Sequence, residues 1–592
     1  MPAAPGSGGR EGRRRHPAAA DASLGPIPAG VGAGRENADV PFVLLRDGDA
    51  PGPVVVEDVD DAGRPVRGVT VAAADLPGVV REREGEHPRW VWDDTARRYP
   101  PLLDAGVRVE RCHDLRLCHT ILRGSTYCAG SGLATAPPGP WDEARPAPAE
   151  AVASLFDDDD DAAGPAGPPD AAAELARQLA AVAGSTAPGR LRLLLAAEST
   201  GALIAAEMHA DGLPWDADAH DRILTDLLGE RPRGGGRPAK VEALARQVRE
   251  LLGQPGVNLD SQPDLLHALH LAGLDVSSTR VHEIRELDHP VVAPLLEYKK
   301  LARLLSANGW AWLDTWVADG RFRPDYVPGG VVTGRWATSG GGALQLPAAI
   351  RGAARADPGW RLVVADAAQL EPRVLAAMSG DGAMAAAARR ADLYQGFVEA
   401  GVVETRKHAK TAMLGAMYGA TTGASAVLMP RLESAFPRAI GMVEAAARAG
   451  ERFEVVTTWL GRSSPVPGER WQASADAAAS VDASPEDVRA ARARRRDWGR
   501  FTRNFIVQGT AAEWALCWMA ALRRRLRALP GRPHLVFFLH DEVVVHAPVE
   551  VADEVAVAVR DAATEAGRLL FGDCPVEWAL DVSVVESYDQ AA

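Results

Sequence analysis

The 592-residue chain is 47% hydrophobic and 24% charged, so at roughly 150 residues per domain it can bury about four sizeable cores. It has no run of the roughly 18–20 consecutive apolar residues a membrane span needs, no apolar signal core behind Arg10, Arg13, Arg14 and Arg15, and cysteines too scattered for a disulfide framework. A reducing cytoplasm is the expected compartment. The net charge of −14 weighs against nucleic acid as a partner, but binding follows the local field, and Arg489 to Arg503 is strongly basic.

Residues 1–40 are Ala, Gly, Pro and Arg without periodicity and read as a flexible tail. From 41 to 133 the pattern is α/β. Phe42–Leu45, Val54–Val56 and Trp90–Trp92 read as strands, and Asp94–Leu103 as a helix. Residues 134–172, rich in proline and holding the acidic run Asp157–Asp161, read as a disordered linker. From 173 onward the chain reads as one large unit, mostly helical at first. Leu193–Met208 is one apolar-periodic helix, and Asp288–Leu305 another, opened by an Asp and a Pro. Beyond Arg321 strands and helices mix, without internal repeats.

Three segments carry chemistry. In the first, the apolar strand Leu362–Ala365 ends in Asp366, ahead of a helix signalled by Pro372, and a carboxylate on a rigid strand end suits a metal or caps the next helix. In the second, two apolar runs flank His540-Asp541-Glu542, as at a hairpin tip, where ionisable groups between buried strands need partners, a cation or water. Were both strands to share a sheet, Asp366 and Asp541 would hold two divalent cations for displacement at phosphorus. In the third, Arg406, Lys410, Leu414 and Tyr418 lie four residues apart along one helix stripe. Its two cations suit a triphosphate and its apolar end a sugar or base, whereas the bland alternative is a core helix with snorkelling basics.

Taken together, these segments resemble DNA polymerase family A. Asp366-Ala-Ala-Gln369-Leu-Glu371-Pro372-Arg373 is similar to the first palm motif, Asp-Tyr-Ser-Gln-Ile-Glu-Leu-Arg, Arg406–Gly419 to the fingers helix, and His540-Asp541-Glu542 to the last motif. Thr333-Gly334-Arg335, Arg500–Gln508 and the thumb-like stretch from Asn258 to Leu301 match further family segments in order.

The resemblance implies an α+β right hand preceded by an α/β RNase H-like exonuclease-type domain. The thumb would span about 190–305, the palm 306–400 and 500–592, and the fingers 383–498. It implies a DNA-directed DNA polymerase, acting as a monomer without a membrane, on primer-template DNA and deoxynucleoside triphosphates. Asp366, Asp541 and the backbone carbonyl of Ala367 would hold two Mg²⁺, with Mn²⁺ as a substitute. Arg406 and Lys410 would hold the triphosphate, with Lys410 protonating the leaving pyrophosphate. Glu371, Gln369, Leu414, Tyr418 and His540 would surround the nucleotide, Glu371 excluding ribose. Arg335, Arg500, Asn504, Gln508 and Glu542 would contact DNA.

Departures from the pattern carry their own expectations. Leu414 stands where the family has Phe or Tyr, which implies weaker nucleotide binding. The front domain lacks the Asp-x-Glu of a proofreading nuclease after its first strand, so its fold is expected to persist without that activity. Cys112, His113, Cys118 and His119 do not have paired zinc spacing, and the chain is too short for a 5′ nuclease domain. Two alternatives stand beside this reading. One is a catalytically weak or inactive DNA-binding derivative, which the intact Asp366, Asp541, Arg406 and Lys410 disfavour. The other is a nuclease working through the front domain, which the missing carboxylates disfavour.

Overall fold

Alternating apolar residues at the front of the chain build a sheet whose inner strands are buried on both faces. The computed structural model describes residues 41–48, 52–143, 170–419, 423–468, 471–473, 478, 480 and 483–591. Strands β1 (Phe42–Asp47), β2 (Pro53–Val59), β3 (Pro65–Ala72), β4 (Arg89–Trp92) and β5 (Arg111–Asp114) form a sheet in the order β3-β2-β1-β4-β5. β1 runs antiparallel to β2 and parallel to β4, and β4 runs parallel to β5. Period-two alternation sends Val43 and Leu45 to one face, against Trp90, Trp92, Tyr99 and Leu203, while Leu44 joins Val91, Leu115, Trp141 and Leu175 on the other.

The second face corrects the linker boundary. Residues 134–143 and 170–172 belong to the front module, because Trp141 is buried and helix α1 (Ala171–Ala183) begins where linker was expected. A lone tryptophan among prolines carries no periodicity, so composition hid it. The expected tail at 1–40 and the acidic run Asp157–Asp161 lie outside the described residues. The expected Asp94–Leu103 helix is instead two short turns, Thr95–Arg98 and Pro100–Asp104, because Pro100 supplies no amide hydrogen to continue the first.

Helix α2 (Pro188–Asp211) was expected to open the thumb. It is wedged between the front sheet and the body instead, which is why it is buried nearly all round rather than amphipathic. Thumb helices follow as α3 (Ala217–Leu228), α4 (Ala239–Leu251), α5 (Gln262–Leu271) and α6 (Val292–Asn308). The last begins at Val292, four residues later than the Asp288-His-Pro signal suggested.

The palm is an antiparallel sheet of β6 (Trp360–Ala367), β7 (His534–Leu539), β8 (Glu542–Pro548) and β9 (Leu580–Val585), ordered β7-β8-β6-β9. β6 is paired on both edges and covered by helices, so Leu362–Ala365 is continuously apolar and at most 2% exposed. Helices α7 (Leu370–Ser379), α8 (Leu393–Glu399), α9 (Arg406–Tyr418) and α10 (Pro437–Glu451) lead through the fingers. The fingers–palm boundary expected near 498–500 is not a break. One 43-residue helix, α11 (Pro485–Arg527), runs through it, and α12 (Ala552–Phe571) packs beside it. α11 holds one window long and apolar enough to cross a membrane by composition, but 83% of that window is buried in the protein's own core.

A buried ion network joins the front module to α11. Glu207 of α2 accepts from Tyr99 Oη at 2.6 Å and from Arg523 Nε at 2.8 Å. Arg523 also donates to the carbonyls of Val109 and Glu110 at 2.6 and 2.8 Å. Burial opposes charge on both groups, yet the pairing holds the Glu207 carboxyl low and the Arg523 guanidinium high.

Candidate active site

Sheet register brings the two distant aspartates together. Asp366 lies opposite Glu542 on β8 and Asp581 on β9, and the amide of Ala367 donates to the carbonyl of Asp541 at 2.9 Å. The turn that carries Asp541 is made by His540, whose φ of 60° is left-handed. Burial, then the charges of Asp541, Glu542 and Asp581, push the Asp366 carboxyl up to about 7. Burial likewise pushes Asp541 up to about 6, with Glu371 and Glu542 adding, against its own backbone amide and Arg335. Carboxylates held with so little compensation suit a hard divalent cation. Asp366, Asp541 and the carbonyl of Ala367 are the oxygens available, although no group of three acidic, His or Cys side chains among the described residues forms a ready-made metal site.

The turn from β6 into α7 is fixed by Arg373, a fully buried residue that sequence reading left without a role. It donates to the carbonyls of Ala368, Ala388, Glu577, Arg390 and Ala391. It also reaches Gln369 Oε1 at 3.3 Å, and that oxygen takes the Leu393 amide at 3.1 Å. Gln369 therefore supports the loop, with a left-handed φ of 52°, while it lines the cavity.

That cavity, about 290 Å³, opens beside Asp541 and is lined by Gln369, Glu371, Tyr394, Leu414, Tyr418 and His540 among others. Glu371 is its hub. Arg335 pairs with it directly, and Tyr418 Oη donates to it at 3.0 Å. Burial lowers the basicity of His540, as does the Arg335 charge, while Glu371 opposes both.

Helix α9 starts on a cap by Thr405, whose hydroxyl accepts the His408 amide at 3.1 Å. Its inner face is Ala409, Ala412, Met413, Ala416 and Met417, so Arg406, Lys410, Leu414 and Tyr418 remain on the outer face as the spacing predicts. Arg406 is not free, since its Nε donates to Asp392 at 2.5 Å. Lys410 is exposed and has no ion pair with any described residue. Gly419 ends the helix at φ 71°, and a Cβ there would lie 2.8 Å from Arg500 Cγ, so α9 and α11 meet closely at this point.

Along α11, Arg500, Asn504 and Gln508 recur every fourth residue, with Arg500 against Gly419 at the end of α9. Gln508 Oε1 accepts from Thr333 at 2.9 Å, and Arg500 pairs with Asp497. Glu542, expected at the DNA, has protein partners of its own in this structure. It is 9% exposed, takes the Tyr588 hydroxyl, and lies 3.8 Å from Arg351. Directly opposite Asp366 on a central strand, it is turned into the protein. Arg351, Asp581, Asp392 and Tyr394 were missed as site residues. Only Asp392 left a trace in the sequence, as an acid immediately ahead of a short helix.

In the front module the C-terminal ends of β1 and β4 hold ion pairs. Arg98 bridges Asp47 at 2.8 Å and Asp93 at 2.9 Å, and Arg97 reaches the same two at 2.6 and 3.0 Å. Burial alone would raise Asp47, but hydrogen bonds from Arg97 and Arg98 hold it low. Asp114 is spent as a cap, accepting the amides of Thr95 and Leu117 at 2.7 and 3.0 Å. The thiols of Cys112 and Cys118 are pushed up by burial and serve as packing.

A right hand with facing aspartates on its palm strands defines a polymerase fold. A solved structure titled the POL domain of Pol1 from M. smegmatis, in complex with DNA primer-template and dNTP, superposes with a TM-score of 0.64 over 93% of this chain and 96% of that one, at 16% identity. The family model for DNA polymerase family A matches residues 237–590, and the chain belongs to that family. Among curated relatives, DNA polymerase I of Chloroflexus aurantiacus is 27% identical over 394 residues, covering 62% of this chain and 39% of that protein. The thermostable DNA polymerase I of Thermus filiformis is 28% identical over 417 residues, covering 63% and 46%. The chain thus spans less than half the length of these relatives.

Proposed function

We propose that the protein is a DNA-directed DNA polymerase that extends a primer 3′-hydroxyl with deoxynucleotides and does not proofread. The observation that carries this is the convergence of Asp366 and Asp541 beside the cavity holding Glu371, Tyr418 and Arg335. Bound at Asp366, Asp541 and the Ala367 carbonyl, two Mg²⁺ would lower the pKa of the attacking hydroxyl and offset charge on the leaving group. The chain's own groups do the rest. Lys410 offers a proton and a positive charge to the pyrophosphate, and Arg406 must exchange Asp392 for phosphate oxygens to join it. Glu371, braced from two sides, stands against the sugar 2′ position. Arg335 and Gln508 read acceptors that all base pairs share in the minor groove.

The absence of proofreading rests on Arg97 and Arg98, whose guanidinium groups neutralise the carboxylates at the strand ends where a nuclease would place its cations. Single-nucleotide addition to a primed template tests the proposal. Wild type should add only the nucleotide complementary to the template base, in a reaction requiring Mg²⁺. Addition that ignores the template base, or none at all, would refute it.

A further inference from the structure

We infer that the ring of Tyr394, on α8, is the aromatic wall of the nucleotide site and takes over a task that Leu414 on α9 cannot perform. This deepens the polymerase reading and rests on it. Leu414 is 39% exposed at the cavity and offers a branched alkyl group with no ring face. Tyr394 lines the same cavity from the neighbouring helix, with only 6% of its surface exposed.

Its position is fixed rather than incidental. Asp392 caps α8 by accepting the Tyr394 amide at 3.0 Å, and through its other oxygen it accepts Arg406 Nε at 2.5 Å. One carboxylate therefore sets both the ring and the guanidinium, whose carbon lies 5.8 Å from the ring centroid. Phe397 stands edge-on behind the ring at 6.5 Å and closes off retreat into the core. The Tyr394 hydroxyl has no hydrogen bond to any described residue, so the ring is held by its helix and its neighbours alone. A rigid ring between the proposed phosphate-binding arginine and Glu371 lies where a nucleoside sugar must rest. Such a face packs on a flat sugar edge at small entropic cost.

The test is a double-mutant cycle read as the KM of the complementary nucleotide in single-turnover primer extension, with the primer-template Kd measured beside it. Tyr394→Leu should raise KM about tenfold with little change in DNA affinity, and Tyr394→Phe should recover most of that loss. Adding Leu414→Phe to Tyr394→Leu should restore KM at least about threefold, whereas in wild type it should lower KM no more than about twofold. The proposal is overturned if Tyr394→Leu leaves KM in place, or if Leu414→Phe helps equally in both backgrounds. Should Tyr394→Leu fail to fold by circular dichroism, Leu414→Phe in wild type decides alone, and a tenfold fall in KM would show that no ring was present. A wild type unable to extend primers refutes the polymerase reading itself, a separate outcome.

Discussion

Asparagine at position 541 would remove one negative charge near Asp366 while keeping the side chain's size. Asp366 is raised from its ordinary 3.8 to about 7, a difference of about three pH units or about 4 kcal/mol between its protonation states. Burial is the largest cause and the Asp541 charge comes next. Asp366 is part-exposed, so water screens the interaction, and the share removed with Asp541 comes to about 1 kcal/mol. An acid whose folded pKa is raised stabilises the fold below its unfolded value, and that contribution is lost as pH climbs through the folded one. Stability of the metal-free protein should therefore fall between pH 4 and 7. Asp541→Asn should be more stable than wild type by at least about 1 kcal/mol at pH 8, because it also removes the buried Asp541 charge itself, with the gain shrinking at pH 5. Urea denaturation in EDTA at both pH values measures this, and 10 mM Mg²⁺ should then stabilise wild type more than the variant. Equal stability at pH 8, or the same gain at pH 5, would refute the charge-crowding argument.

Three other perturbations report on separate parts of the structure. Glu371→Ala should weaken rejection of ribonucleotides by about a hundredfold, read as the ratio of kcat/KM for deoxy- and ribonucleotides, because the brace from Arg335 and Tyr418 then holds nothing against the sugar. Arg523→Met should cost about 3–5 kcal/mol in urea denaturation, since it leaves Glu207 charged and buried, and adding Glu207→Gln should restore part of the loss. Incubated with Mg²⁺ and single-stranded DNA, the wild type should release no nucleotides from the 3′ end, and metal-dependent digestion lost on mutating the front module would contradict the role given to Arg97 and Arg98.

The sequence made legible whatever is local or periodic. The apolar run at 362–365 and the paired runs around His540 announced strands, and fourfold spacing announced the outer stripe of α9. Groups defined by distant pairing left no such mark. Asp47 meets Arg98 across half the front module, Glu207 meets Arg523 from the far end of α11, and Asp581 gains meaning only through its register with Asp366. The partners of Glu542 are of the same kind, since Tyr588 and Arg351 reach it from distant parts of the chain. Trp141 shows the converse, a single apolar anchor that composition averaged away.

Everything functional in this account depends on Asp366 and Asp541 acting together on one reacting phosphate. Rapid-quench single-turnover incorporation by Asp366→Ala and by Asp541→Ala, with primer-template affinity measured in parallel, tests that directly. Each variant should lose at least about a thousandfold in rate while its DNA affinity stays within about threefold of wild type. Near-wild-type incorporation by either one would contradict the shared site.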